Sequence, residues 1–163
     1  MEQKSRKKFN NAGMSLVELI VVVLIIGILS AGAVIGFSFI RSMDSNSAAE
    51  EISSLLERTR LNTLSAEEGA NVRLEIKKDG KKYYGTIAKG TTEIEKMEIG
   101  SDGLTIKVTK SSGTETVGTT PVVFTYKKSN GAFQSDYTKI EITGSKTAAV
   151  TLVTATGRCY LGN

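Results

Sequence analysis

The sequence predicts an α+β fold: one long N-terminal helix, apolar and then amphipathic, packed on a mostly antiparallel β-sheet domain. Three observations predict it. Leu19–Ile40 is an uncharged run of 22 residues, most of them Val, Ile or Leu. Across residues 48–66 the apolar positions recur with a period near 3.6, and from Asn71 onward the period shortens to two between glycine turns.

The first element opens on charge. Residues 1–13 hold Lys4, Arg6, Lys7 and Lys8 against Glu2, a local +3 out of +4 for the 163-residue chain. The remaining 17 basic and 16 acidic side chains nearly cancel, so bulk electrostatic attraction to nucleic acid is not indicated. A helix over Leu19–Ile40, at about 1.5 Å per residue, is roughly 33 Å long and matches a ~30 Å hydrocarbon core. With the basic residues before it, the positive-inside rule leaves residues 1–13 in the cytoplasm and sends the remainder outward. The expected location is the plasma (inner) membrane, crossed once. A removed secretory signal is the competing reading, with Ala31–Ala33 as its small-residue cleavage site. Against it stand Glu18, at the head of the apolar run, and the continuation of that run through Val34, Ile35, Phe37, Phe39 and Ile40.

The second element, residues 41–69, reads as an amphipathic helix. Ala48, Ile52, Leu55, Leu56, Thr59, Thr63 and Ala66 fall in one stripe about 100° wide. Glu50, Glu51, Glu57, Arg58, Arg60, Glu67 and Glu68 occupy the opposite arc. No proline interrupts residues 14–68, so the two helical stretches can be continuous, softened at Gly32 and Gly36 or kinked over 42–47, with Gly69 as the stop.

The third element, 70–163, reads as six to eight short strands. In "VRLEIKKDGKKYYGTI" a turn at Asp79-Gly80 pairs Ile76 with Tyr83, Leu74 with Gly85 and Val72 with Ile87. "EIEKMEI" and "LTIKV" read as a further pair around "GSDG", and "SSGTETVGTT" as a polar loop before Pro121. "VVFTY", the Asn-Gly turn of "KKSNGAF", "YTKIEIT", "AAVTLVT" and "RCYL" come next, with Thr156-Gly157 turning between the last two.

The chain has no His and one Cys, Cys159. An intramolecular disulfide is impossible, zinc sites cannot be assembled, and Ser-His or Cys-His catalysis is excluded. Neither an enzyme nor a cofactor is expected. Cys159 reads as a half-buried strand residue, with an intersubunit disulfide as the alternative.

The residues "KKFNNAGMSLVELIVVVLIIGIL" resemble the class III leader and N-terminal helix of type IV pilins and type II secretion pseudopilins. The resemblance implies a pilin-like fold and a leader, residues 1–13, removed by a prepilin peptidase between Gly13 and Met14. It also implies methylation of the new N-terminal amine on Met14, and a role in filament assembly for Glu18, five positions after the glycine. Residues 14–40 would then be the transmembrane and filament-core helix. The implied partners are other pilin or pseudopilin subunits, the prepilin peptidase and an inner-membrane assembly platform. The helix running into "LERTRLNTLSAEEGANVRLEI" and the ending "AAVTLVTATGRCYLGN" resemble the H-type minor pseudopilin and FimT-like minor pilin group. Two features depart from the family: Met14 stands where Phe is usual, and Ile35 where major pilins carry a helix proline. The latter, with the missing C-terminal disulfide, argues against a major type IVa pilin.

Two other functions are weighed beside the filament subunit. A FimT-like tip subunit would bind extracellular DNA in transformation. Residues 104–163 carry seven basic and three acidic side chains, and Lys139, Lys146 and Arg158 are the candidate contacts, although solvated lysines explain the excess more simply. A passive single-pass anchor would leave Glu18 snorkelling to the interface.

Overall fold

The computed structural model describes residues 16–68, 70–100 and 102–162, without the side chains of 28–44. Its contacts divide the chain into two units, one ending at Phe37 and one beginning at Ser38. The described residues form one helix, α1 (Leu16–Ser65), and nine strands. The architecture is α+β. The helix continues through 42–47 without a break, and the Gly69 stop lies outside the described residues.

In the second unit, β1 (Val72–Asp79), β2 (Lys82–Lys89), β3 (Thr92–Gly100) and β6 (Val122–Thr125) form one sheet, in the order β3-β2-β1-β6. The other sheet contains β4 (Thr105–Lys110), β5 (Gly113–Thr116), β7 (Tyr137–Thr143), β8 (Thr147–Val153) and β9 (Arg158–Gly162), in the order β5-β4-β7-β8-β9. Every pairing is antiparallel.

The amphipathic stripe lies in the core. Ala48, Ile52, Leu55, Leu56, Thr59 and Thr63 are buried, joined by Ser45 and Ala49. Its apolar members pack in one cluster with Leu74, Ile76 and Ile87 of the first sheet and Ile106, Ile140, Ile142 and Val150 of the second. Thr59 and Thr63, polar residues on a buried face, turn their hydroxyls back to the carbonyls of Leu55 and Thr59, at 2.6 and 2.8 Å. This satisfies them without a partner on another element. Tyr126 extends the same logic across elements: its hydroxyl donates to the Leu56 carbonyl at 2.9 Å, and burial holds the phenol protonated far above its ordinary range. Just beyond the helix end, the Lys128 ammonium donates to the Ala66 carbonyl, a cation at the negative end of the helix.

Three sequence expectations are corrected. The β1–β2 register pairs Ile76 with Gly85 and Leu74 with Ile87, two residues along from the predicted partners. An Asp79-Gly80 type I′ turn needs positive φ at both residues, yet no described non-glycine has positive φ, and the two-residue loop is Gly80–Lys81 with Gly80 at φ 60°. Because the slip is two residues, the same face stays inward. "EIEKMEI" and "LTIKV" do not pair: β3 joins β2 in one sheet while β4 joins β5 and β7 in the other. Finally, the polar stretch after Lys110 contains β5, an exposed edge strand, which helps bring the strand number to nine.

Candidate functional site

The predicted processing site, Gly13 and Met14, lies outside the described residues, and the chain beyond it is described from Leu16. Glu18 is the third residue of α1, in its first turn and exposed. A carboxylate there meets the unsatisfied N–H groups and positive end of the helix dipole. Around it every large apolar side chain from Leu16 to Ile26 is exposed, ranging from 41% for Val22 to 76% for Leu16. These residues are nearly consecutive, so they cover all sides of the helix, and Glu18 is the only charge among them. A helix apolar all round is one meant for enclosure in protein or lipid.

The expected span over 19–40 runs into residues 28–40, whose side chains lie outside the described set. Among the described residues no helix is long and apolar enough to cross a membrane.

The proposed DNA contacts are distributed rather than convergent. Lys139 projects from the outer face of the second sheet, in line with Thr151 and Tyr160, and is paired with Glu141 at 2.9 Å. That lysine holds the Glu141 carboxyl below its ordinary range. Arg158 begins β9 opposite Val153, whereas Lys146 precedes Thr147 at the other end of β8. At about 3.3 Å per residue that separation is roughly 20 Å. The structure does not bring the three together. Lys110, Glu115 and Tyr137 do meet: the Lys110 ammonium is 3.0 Å from the Glu115 carboxylate, which also accepts the Tyr137 hydroxyl at 3.1 Å. This network satisfies itself beside an open cleft of about 360 Å³.

A second groove, of about 400 Å³, separates α1 from β9 and is lined by Glu57, Arg60, Leu61, Arg158, Cys159 and Tyr160, with Gly157 beneath. Its walls are fixed by contacts remote in sequence. Arg60 Nε donates to the Gly131 carbonyl at 3.1 Å. Cys159 Sγ lies 3.2 Å from Ser53 Oγ, and burial pushes the thiol above its ordinary range. Gly157, at φ 65°, packs against the Gly131 carbonyl so closely that any β-carbon would overlap it. Nothing in the strand pattern pointed to this groove, because its walls come from residues 57–61 and 157–160.

One local signal at the N-terminus bears on Glu18. Ser15 stands three residues before it, the spacing of a capping box, in which the helix's third residue reaches back to the preceding backbone. Ser15 itself lies outside the described residues. Among the described residues there is no group of three His, Cys, Asp or Glu able to hold a metal ion.

Comparison with protein families matches residues 8–34 to the prokaryotic N-terminal methylation motif. That segment contains Gly13, Met14 and Glu18 and reaches into the apolar run. Comparison with curated proteins finds no match, and comparison with solved structures finds none.

Proposed function

Starting from a chain that carries a prepilin-type N-terminal methylation motif, we propose that this protein is a minor pilin or pseudopilin, a structural subunit of a type IV pilus-like or type II secretion filament. One observation carries the reading: the motif runs along a helix whose side chains from Leu16 to Ile26 are apolar and exposed on every side, except for Glu18. Such a helix has to be enclosed by something other than one sheet face.

In this reading a prepilin peptidase cuts between Gly13 and Met14, and the new amine on Met14 is methylated. The subunit waits in the inner membrane, N-terminus inward, and enters the filament through an assembly platform. Residues 14–40 bundle with the same segment of other subunits. A free amine at Met14 lies four residues, about one helical turn, before Glu18. Within a subunit it neutralises the carboxylate; in the bundle a neighbour's amine does so. A subunit at the wrong axial offset leaves two charges unpaired in apolar surroundings, so the pair selects register. The lack of a helix proline at Ile35 and of a second cysteine favours a minor over a major subunit.

The test is the intact mass of the chain expressed with a prepilin peptidase and assembly machinery. The expected product begins at Met14, carries one added methyl group, and is found in the sheared filament fraction. Gly13→Leu should keep its leader and remain in the membrane. A product beginning at Val34 would instead identify a removed signal, and a processed chain that never enters filaments would overturn the structural role.

A further inference from the structure

The geometry points to the groove between α1 and β9 as a docking site for an extended polypeptide segment that adds antiparallel to β9, with acidic residues at its C-terminal end. This assignment concerns the second unit alone and does not rest on the filament reading.

β9 ends its sheet, so among the described residues the N–H and C=O groups along its outer side have no strand to pair with. Tyr160 and Leu161 on β9 and Leu61 on the facing helix are each more than half exposed. An exposed apolar edge beside a groove is the arrangement by which a peptide adds a strand, backbone bonds supplying affinity and side chains selectivity. The site is preformed. The Ser53–Cys159 contact ties the strand to the helix, and the turn before it is closed by the Gly157 amide donating to the Val153 carbonyl at 2.8 Å.

Charge sets which end of the antiparallel guest is acidic. Arg60 and Arg158 meet the groove at its Gly157 end, and neither forms an ion pair among the described residues. Glu57 is the one acid in the lining. A segment antiparallel to β9 has its C-terminal end beside Arg158, the start of that strand. Acidic side chains there meet both guanidiniums, while apolar ones further back meet Leu61 and Leu161. A peptide suits this edge better than a nucleic acid, because the strand offers donors and acceptors alternately and phosphate oxygens can only accept.

The full chain in detergent micelles is titrated with a fluorescein-labelled peptide of alternating valine and threonine ending in two aspartates and an amide. Binding is expected, with amide exchange slowed at residues 158–162. Replacing the aspartates with lysines, methylating alternate backbone nitrogens of the peptide, or introducing Arg158→Glu should each weaken binding about tenfold or more, roughly 1.4 kcal/mol. Arg158 is exposed, so that variant is expected to keep the parent melting temperature; the methylated peptide tests the same pairing on the unaltered protein. No binding, equal binding of the lysine peptide, equal binding by Arg158→Glu, or binding only of a single-stranded oligonucleotide would each overturn the proposal.

Discussion

Glu18 can be tested so that its two physical roles separate. It stands third in α1, exposed, in the first turn, and Ser15 precedes it at capping-box spacing. As a cap it would reach back to a backbone N–H, a task glutamine performs equally. As a charge it interacts with the helix dipole, worth about 0.3–1 kcal/mol, and in the proposed filament core it would neutralise a neighbour's amine. Removing one member of a buried pair costs about 3–5 kcal/mol. Glu18→Gln therefore keeps the cap and removes the charge, whereas Glu18→Ala removes both. If only cap and dipole matter, glutamine lowers incorporation by at most about fivefold, since 1.4 kcal/mol is tenfold. If the amine pair sets register, the loss exceeds about a hundredfold by the same arithmetic, and glutamine is nearly as damaging as alanine. The assay co-expresses tagged variant and parent and compares their ratio in sheared filaments with the ratio of processed subunit in the membrane. A glutamine variant that is processed and incorporated within fivefold of the parent refutes the registry argument.

The second unit supplies three more tests. Gly157→Ala places a β-carbon into the Gly131 carbonyl and 3.2 Å from the Tyr126 ring, at φ 65°; we expect a loss of about 2–4 kcal/mol, read by thermal unfolding. Glu51 has a buried carboxylate oxygen without a hydrogen-bond partner among the described residues, and burial, then the nearby Glu98 charge, raises its pKa above the ordinary carboxylate value. A carboxyl whose folded pKa is raised binds its proton more tightly in the native state, so ionising it costs stability as pH rises through that pKa. Glu51→Gln should therefore raise the melting temperature at pH 7 relative to the parent, and the advantage should shrink toward pH 4; a constant difference would contradict the assignment. The Cys159 thiol, raised by burial and bonded to Ser53, should react with a disulfide reagent at pH 8 more slowly than in the denatured chain, and Ser53→Ala should not accelerate it to the denatured rate.

The helix and its buried stripe were legible because a period of 3.6 is a local property that only a helix can use. Ile52, Leu55, Leu56 and Thr59 declare their common face within two turns. The division of strands between sheets was not. "EIEKMEI" alternates in the same way whichever sheet receives it, and Ile99 and Leu104, on either side of the break before "LTIKV", both enter the same shared core. The β1–β2 register failed for a narrower reason: Asp-Gly is a strong turn signal, but Gly80 also opens a turn with Lys81, and hydrophobic patterning cannot distinguish slips of two residues. At the N-terminus the spacing of Gly13, Glu18 and the apolar run was a contiguous motif, so it could be read directly. The α1–β9 groove depends on Ser53 meeting Cys159 and Arg60 meeting Gly131, pairs 106 and 71 residues apart, and no local pattern announces such meetings.

The two stretches of α1 pose different burial problems, and this bears on function more than any single residue does. Residues 48–63 alternate a buried face with charged positions such as Glu57 and Arg58, and two sheets of the same chain cover that face. Residues 16–26 offer no polar face on which water could remain while a sheet covers the other side. A sheet presents one surface and can bury only one side of a helix, so a helix apolar around its full circumference needs neighbours in every direction. Fully burying each such side chain contributes about 1.5–3 kcal/mol, and for about ten of them even half that gain is on the order of 10 kcal/mol. Lipid can supply it, and so can a bundle of like helices; in the proposed bundle a neighbour's amine would also pair the one charge in the stretch. A chain that needed nothing beyond an anchor would gain the same burial with leucine in place of Glu18.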